Sequence, residues 1–309
     1  MKRVLALILA MLSMVSTALA GDWLYIANPN PNDRLHLRAE PYDGAKSLGK
    51  YYNGAPIERT GYFNSFGWVE VTVGLGNNRS GYMKADYLSH VKQPSAMPQY
   101  AAIQPVKAYQ KPDGGSKTLT IAGGRLVSLM GFSEDWWHML VHTGESEGDY
   151  TCFVPVNQQG LVPLNGSSPV NAYISNPDPT DRLHLRASPS TNARSLGKYY
   201  NGAIGTIKGF TEDGQWLKVD LYGRTGYMLT KFITVEGKTN NTWYGMPTVS
   251  TIRQTQCYQD VSLTGKSVPV AAGTSVEVLG LVNEKILHVQ FNDKTGYMLW
   301  KDTSYTDPK

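Results

Sequence analysis

A long internal repeat constrains this chain more than any other feature of its sequence. The segment DRLHLRAEP at residues 33–41 returns as DRLHLRASP at residues 181–189. From Asn28 to Ala55, 21 of 28 positions are identical to residues 176–203. Such a repeat indicates that the chain is an array of copies of one module. Arrays present several similar surfaces at once, which favours binding over catalysis.

The first residues have the pattern of a secretory signal. Lys2 and Arg3 precede an apolar run, Val4–Leu12, and the small-residue segment Ala18-Leu19-Ala20 is typical of a cleavage site before Gly21. The apolar run is shorter than the ~20 residues that a membrane span needs. We therefore expect residues 1–20 to be a signal peptide. The mature protein is expected to be secreted or in the cell envelope, soluble and without membrane insertion.

Composition excludes one class of partner. The whole chain has 29 Lys and Arg residues against 25 Asp and Glu residues, and these charges are scattered along it. A protein that binds a polyanion concentrates its basic residues on one face. We therefore expect no nucleic-acid partner.

The spacing of apolar residues predicts an all-β protein. Short alternating runs such as Leu35–Arg38, Trp68–Val73 and Trp216–Leu221 are typical of half-buried strands. Asn53-Gly54 and Asn201-Gly202 separate such runs, and Asn-Gly tolerates the positive φ of tight hairpin turns. Disorder is disfavoured by the spread of aromatic residues along the chain.

Each half of the duplication contains two sets of predicted strands. The second set in the first half is predicted at residues 106–109, 118–121, 126–129, 137–142 and 150–155. It has a weak counterpart in the last quarter of the chain. Two interpretations stay open: the two modules of a half pack together, or the duplication spans two independent modules. A 60-residue module is marginally stable alone, which favours packing.

The motifs of the first and third modules resemble those of the bacterial SH3-like (SH3b) domain. Module 1 has LHLRAEP, SLGKYYNGA, GWVEV and NRSGYMKADYL, and module 3 has LHLRASP, SLGKYYNGA, QWLKV and GRTGYMLTKFI. Module 4 keeps only the closing hairpin, DKTGYMLWKD, and module 2 is weaker still. The resemblance implies four small SH3-like β-barrels in tandem, arranged as a duplicated two-domain pair. The expected boundaries are residues 21–92, 101–158, 170–236 and 248–304.

Strand alternation divides the aromatic residues into core and surface. Leu48 and Tyr51 are predicted to lie in the core, whereas Tyr52 and its copy Tyr200 are predicted to face outward and are the preferred ligand-binding candidates. The other candidate pairs are Trp68 with Trp216, Tyr82 with Tyr227, and Arg38 with Arg186. Each tryptophan has two open interpretations, a binding platform or a structural plug.

Metal and catalytic roles are disfavoured by spacing. His36 and His184 each stand alone in their modules, and His138 and His142 would lie about 13 Å apart along one strand. Neither Cys152 nor Cys257 has the context of a nucleophile, and no H-E-x-x-H, G-x-S-x-G or P-loop pattern occurs. We expect no metal, no cofactor and no enzymatic activity, although motifs alone do not exclude a carboxylate-pair glycosidase. The two cysteines are either free thiols or a disulfide between modules 2 and 4.

The function predicted from these features is attachment to cell-wall material. Relatives of the SH3b family often accompany wall-lytic enzymes and hold them on peptidoglycan or its peptides, and this chain resembles such binding modules without the enzyme. The alternative is a protein–protein interaction or scaffold role in the envelope or at a host surface. A third possibility is one rigid rod of four modules within an oligomer.

Overall fold

The computed structural model describes residues 21–76, 79–144, 148–156, 158–178, 180–236 and 246–307. The predicted signal peptide therefore lies outside the described residues. Regular structure in the described part is almost entirely β-strand, with three short 3-10 helices at Ala85–Tyr87, Thr230–Phe232 and Trp300–Asp302. The all-β prediction is confirmed. Among the described residues, no helix has the length and hydropathy needed to cross a bilayer.

The first half of the chain forms fourteen strands. They are β1 Asp22–Ile26, β2 Leu35–Arg38, β3 Ser47–Tyr51, β4 Pro56–Arg59, β5 Trp68–Val73, β6 Arg79–Lys84, β7 Leu88–Ser89, β8 Gln99–Ala102, β9 Val106–Tyr109, β10 Thr118–Ile121, β11 Leu126–Phe132, β12 Trp136–His142, β13 Tyr150–Pro155 and β14 Leu161–Pro163. Five of these strands begin and end at the residues predicted from the sequence, namely β2, β5, β9, β10 and β13. Strands β11 and β12 are longer than predicted.

The second half forms thirteen strands. They are β15 Asn171–Ile174, β16 Leu183–Arg186, β17 Ser195–Tyr199, β18 Ile204–Phe210, β19 Trp216–Leu221, β20 Arg224–Leu229, β21 Ile233–Val235, β22 Thr248–Ser250, β23 Thr255–Tyr258, β24 Ser267–Val270, β25 Ser275–Asn283, β26 Ile286–Phe291 and β27 Lys294–Leu299.

Each half forms one antiparallel sheet that runs through both of its modules. In the first half the path is β10-β9-β13-β12-β11-β3-β2-β6-β5-β4-β1-β7, with β8 pairing β11 and β14. The modules meet where β11 pairs β3, through Gly131 opposite Tyr51 and Phe132 opposite Lys50. In the second half β25 pairs β17 in the same way. Strand pairing is therefore continuous across each module pair and does not close within a module.

Alternation along the strands separates core from surface, as predicted. Leu35 and Leu37 are buried in β2 while His36 and Arg38 are half-buried on its other face. Tyr51 is buried as well, and Leu48 packs against the same core. Four apolar clusters result, one centred on each module.

A buried tyrosine–histidine contact accompanies each shared sheet. The Tyr51 hydroxyl lies 3.3 Å from Nδ1 of His138 in the first half, and the Tyr199 hydroxyl lies 3.2 Å from Nδ1 of His288 in the second. Burial, together with a nearby arginine, lowers the pKa of both histidines to about 3. His138 therefore serves the junction of modules 1 and 2 as a neutral side chain.

The two halves are joined through module 2 and module 3. The side-chain amide of Gln99 donates to the Phe210 carbonyl oxygen at 2.8 Å and accepts from the Phe210 N–H at 3.0 Å. The Phe210 ring contacts His142 edge to face, with 5.0 Å between ring centroids. Glu212 accepts from the Ser95 N–H at 2.6 Å and pairs with Lys92 at 3.0 Å.

Both cysteines are free thiols in the structure, and both are buried. Cys152 lies in the core of module 2 and Cys257 in that of module 4. Of the two alternatives left open by the sequence, the structure has separate thiols. Burial raises the pKa of Cys152 to about 12, so its thiolate is strongly disfavoured at neutral pH.

Candidate functional site

Three of the predicted binding residues of module 1 share one outer face. Arg38 on β2 lies opposite Tyr82 on β6, and Trp68 on β5 lies opposite Lys84 of the same β6. Side chains directly opposite each other, or two apart on a strand, project from the same side of a sheet. Arg38, Trp68 and Tyr82 therefore form one surface, which the sequence alone could not establish.

Beside this face lies a groove of about 660 Å³ in module 1. We call it the module-1 groove; it is lined by Pro41, Tyr42, Asp43, Asn64, Ser65, Phe66, Trp68 and Lys84. Trp68 is only 3% exposed, so it acts mainly as a plug beneath the groove and not as an open platform.

A local turn positions the aromatic residues of the module-1 groove. The Asn64 side-chain oxygen accepts from the N–H of Phe66 at 3.0 Å and from the N–H of Trp68 at 2.9 Å. Gly67 between them has φ +74°, a conformation that glycine adopts without steric cost. The turn places Phe66 in solvent directly before Trp68 enters strand β5.

The charges of the module-1 groove are balanced. Lys84 Nζ lies 3.6 Å from Oδ2 of Asp43 and 4.9 Å from the centre of the Trp68 ring. Arg38 donates to the carbonyl oxygen of Ala45 at 2.8 Å, which directs its guanidinium toward the loop that carries Tyr42. The groove thus offers aromatic surface and paired charges, a combination that binds uncharged or amphipathic ligands.

Module 3 repeats the face but not the groove. Arg186 lies opposite Tyr227, and Trp216 lies opposite Leu229, where module 1 has Lys84. The neighbouring pocket measures only about 230 Å³ and includes Trp216 and Arg186.

The prediction that Tyr200 faces solvent is wrong. Tyr200 is only 6% exposed, and its hydroxyl is hydrogen-bonded to that of Tyr305. Arg182 is likewise buried against the same C-terminal segment and pairs with Asp307 at 2.8 Å. The sequence could not show this because residues 305 and 307 are more than 100 positions away from both side chains.

Tyr52 is half-buried at the junction of modules 1 and 2, although it was predicted to face outward. Its ring packs on the module 2 core and lies 6.1 Å from the Phe132 ring, while the Arg34 guanidinium lies 4.1 Å above it. The backbone N–H of Tyr52 donates to the Met130 carbonyl oxygen at 2.9 Å. Tyr52 thus contributes to the packing of module 1 on module 2, because it directly follows Tyr51, the residue of β3 that pairs with Gly131 of module 2.

Sequence reasoning missed the most exposed aromatic residues of the described part of the chain. Tyr42, Tyr62, Phe63 and Phe66 are all exposed, and three of them lie in the single loop between β4 and β5. A signal was present, since the loop segment YFNSF is aromatic where connecting loops are normally polar. Strand alternation does not extend into loops, so it could not assign these side chains.

The described histidines do not form metal sites. Among the residues that the structure describes, no group of three or more His, Cys, Asp or Glu side chains is placed to hold a metal ion. His36 Nδ1 lies 2.9 Å from the Ser47 hydroxyl, and His184 has the same contact with Ser195. Burial lowers the pKa of both histidines, and neighbouring basic residues lower it further.

A serine–histidine–aspartate chain lies inside module 2. Ser128 Oγ is 3.0 Å from Nε2 of His142, whose Nδ1 is 3.0 Å from Oδ2 of Asp149. Burial raises the pKa of Asp149, but hydrogen bonds from His142 and Thr143 outweigh it and the net shift is downward. His142 lines a cleft of about 550 Å³ between modules 2 and 3, whereas Ser128 does not line it and is only 4% exposed. These three side chains are connected in the same sequence as in a hydrolase triad, but the serine hydroxyl that would be the nucleophile is not accessible.

Comparison with known proteins identifies one domain and one related sequence. The family model described as "Bacterial SH3 domain" matches residues 181–234. The "Putative N-acetylmuramoyl-L-alanine amidase YrvJ" of Bacillus subtilis (strain 168) is 21% identical over 123 residues, which are 40% of this chain and 22% of that protein. The chain therefore spans about a fifth of the length of this relative.

Solved structures add little. NlpC2 and NlpC1 from Trichomonas vaginalis are 13% and 15% identical to this chain, and each match covers 46% of it. The matches cover 50% and 48% of those chains, with a TM-score of 0.24 in both cases. Similarity at this level supports no conclusion about shared architecture or activity.

Proposed function

We propose that this chain, which carries a bacterial SH3 domain at residues 181–234, is a non-catalytic protein that binds peptidoglycan or other cell-wall material. The module-1 groove is the observation that carries the proposal. It is open and lined by aromatic side chains, and it lies in the module that is most similar in sequence to the matched domain. The relative named as a putative N-acetylmuramoyl-L-alanine amidase is consistent with a wall ligand.

The proposal includes an architecture and a location. Four SH3-like modules form a duplicated pair, in which each pair shares one sheet, and the protein acts outside the cytoplasm after export. The four apolar clusters support a division into four modules. The basic, apolar and small-residue order of residues 1–20 supports export.

The chemistry of the described side chains supports a non-catalytic role. A cysteine nucleophile acts as its thiolate, and burial raises the pKa of both Cys152 and Cys257. The hydroxyl of Ser128 is enclosed, so substrate could not reach it without opening of module 2. The chain is thus proposed to hold material in place and not to cleave it.

Co-sedimentation with purified, protein-free sacculi tests the proposal. The mature protein is expected to pellet with sacculi, and the double substitution Tyr42→Ser/Phe66→Ser is expected to reduce its retention about tenfold, since two exposed rings are lost. The matched control is Ile252→Ser, which removes an exposed apolar side chain of module 4. Equal retention of the variant and the wild type would show that the groove is not the site.

A role in protein–protein interaction is the second candidate. The large exposed aromatic residues of module 1 favour it, because such residues are enriched in protein interfaces. It predicts no pelleting with protein-free sacculi and capture of a defined envelope polypeptide instead.

A further inference from the structure

Module 1 exposes an unusual amount of aromatic surface. We define the module-1 aromatic surface as the side chains of Tyr42, Tyr62, Phe63 and Phe66, which are 52%, 95%, 49% and 78% exposed. Tyr62, Phe63 and Phe66 lie within one loop between β4 and β5. Exposed apolar groups that cluster in this way mark interaction sites more often than scattered ones do.

The duplicated module shows that the fold does not require this exposure. Asn64 and Thr211 each donate their backbone N–H to the carbonyl oxygen of the following tryptophan, so Phe210 occupies the position of Phe63, and module 2 covers it through Gln99 and His142. Gly214 occupies the position of Gly67: its N–H donates to the Thr211 carbonyl oxygen at 2.8 Å, as the Gly67 N–H donates to that of Asn64 at 3.2 Å, and both glycines have positive φ. A Cβ atom on Gly214 would lie 3.1 Å from the Cβ of His142, and its φ is +67°. A side chain there would crowd His142 and strain the backbone, so module 2 packs closely against this turn of module 3.

Two residues that line the module-1 groove are different in module 3. Seven of the 28 positions between Asn28 and Ala55 differ between the copies, and Tyr42 is one of them, replaced by Ser190. Lys84 of the module-1 groove is replaced by Leu229. In module 3 this region contacts module 2, whereas in module 1 the β4–β5 loop is exposed and could contact an external ligand.

The charges around the aromatic surface favour a neutral ligand. Lys84 pairs with Asp43, and Arg59 is paired with Asp22 while its guanidinium lies 5.2 Å from the centre of the Phe63 ring. An acidic peptide would need to compete with these internal carboxylates. An uncharged ligand meets no such cost.

The aromatic faces fit sugar rings. A pyranose ring has an apolar face of C–H bonds and a polar rim of hydroxyl and acetamido groups. An aromatic ring attracts such C–H groups to its electron-rich face, while the polar rim stays in water or contacts side chains such as Asn64 and Ser65. Several rings along one loop suit a long chain of repeated sugar units.

We propose, on the premise of the wall-binding function above, that the module-1 aromatic surface binds the glycan strand of the wall, an uncharged chain of N-acetylated amino sugars, and not its peptides. Module 3, whose equivalent loop is occupied by module 2, does not take part in this contact. The glycan is therefore bound by module 1.

Calorimetric titration of the full-length mature protein with β-1,4-linked N-acetylglucosamine oligomers tests this inference. Binding is expected for the wild type, unchanged for Phe66→Tyr, which keeps the ring, and about tenfold weaker for Phe66→Leu, which keeps apolar bulk without it. Tyr62→Ser/Phe66→Ser is expected to abolish measurable binding. The control substitution Val268→Ser, at an exposed site of module 4, is expected to have no effect.

The outcomes separate the glycan proposal from the wall-binding proposal. Retention on sacculi without binding of sugar oligomers would overturn the glycan proposal alone, and so would binding of isolated wall peptides at this surface. Oligomer binding that is insensitive to Tyr62→Ser/Phe66→Ser would overturn the assignment of the surface. Failure to bind either sacculi or oligomers would overturn both proposals.

Discussion

At the scale of single residues, His138 and His288 connect the packing of the module pairs to pH. Both are buried next to a tyrosine hydroxyl, and burial lowers the pKa of each to about 3. In the unfolded chain each would titrate near its ordinary value of about 6.5. Between pH 6.5 and 3 the unfolded state therefore binds protons that the folded state does not, and stability falls as the pH falls.

We expect the acid sensitivity of folding to depend on His138. The free energy of unfolding should fall by about 1.4 kcal/mol per pH unit for each buried histidine below pH 6.5. His138→Phe should lower the free energy of unfolding at neutral pH by about 1–3 kcal/mol, because the Tyr51 hydroxyl loses its partner. It should also remove the contribution of one histidine to the dependence of that free energy on pH. Urea unfolding at several pH values measures both quantities.

Phe153→Leu serves as the control for that experiment. The Phe153 ring stacks on His138 with 4.1 Å between ring centroids, so the substitution loosens the same site without removing the titrating group. It should lower stability and leave the pH slope as in the wild type. An unchanged slope in His138→Phe would show that His138 does not control the acid response.

At the scale of elements, the pairing of β3 with β11 turns two modules into one sheet. Gly131 sits at this joint, where an added Cβ would lie 2.6 Å from the Lys50 carbonyl oxygen and would overlap the Tyr51 ring. Gly280 occupies the equivalent place between β25 and β17, next to the Lys198 carbonyl oxygen. Glycine is needed at both positions because the backbones approach closely.

Gly131→Val is expected to separate the strands of this joint. Overpacking of this kind costs about 1–3 kcal/mol, so the urea midpoint should fall, and loss of coupling between modules should broaden the transition. Gly114→Val is the control, because nothing lies within 4 Å of a Cβ at Gly114. If both variants unfold like the wild type, modules 1 and 2 are not held together by this pairing.

At the scale of the whole molecule, the two halves contact each other where module 2 packs on module 3. Module 2 holds module 3 with Gln99, Ala101 and Leu126. In module 4, Thr248 and Ser250 stand at the positions of Gln99 and Ala101, and both are exposed and polar. These exposed polar side chains do not favour an equivalent contact with another module.

Gln99→Ala is expected to loosen the two halves. The substitution leaves the Phe210 N–H and carbonyl oxygen without their partner, at a cost of about 1–3 kcal/mol. The radius of gyration measured by small-angle X-ray scattering should rise as the halves separate. Thr248→Ala, at the equivalent position of module 4, should leave it unchanged. If the radius of gyration of Gln99→Ala equals that of the wild type, Gln99 is not needed to hold the two halves together.

The repeat and the alternation of apolar residues were sufficient to predict an all-β chain, the family of its best-matched module and the core positions of β2. These features depend on local spacing, which the chain itself records. The face formed by Arg38, Trp68 and Tyr82 and the burial of Tyr200 depended on tertiary structure, because they require strands or segments that are distant in sequence to meet. Tertiary structure also decided which copy of the β4–β5 loop is uncovered, since module 2 docks onto Phe210 of module 3, and this contact joins segments that are more than 100 residues apart in sequence.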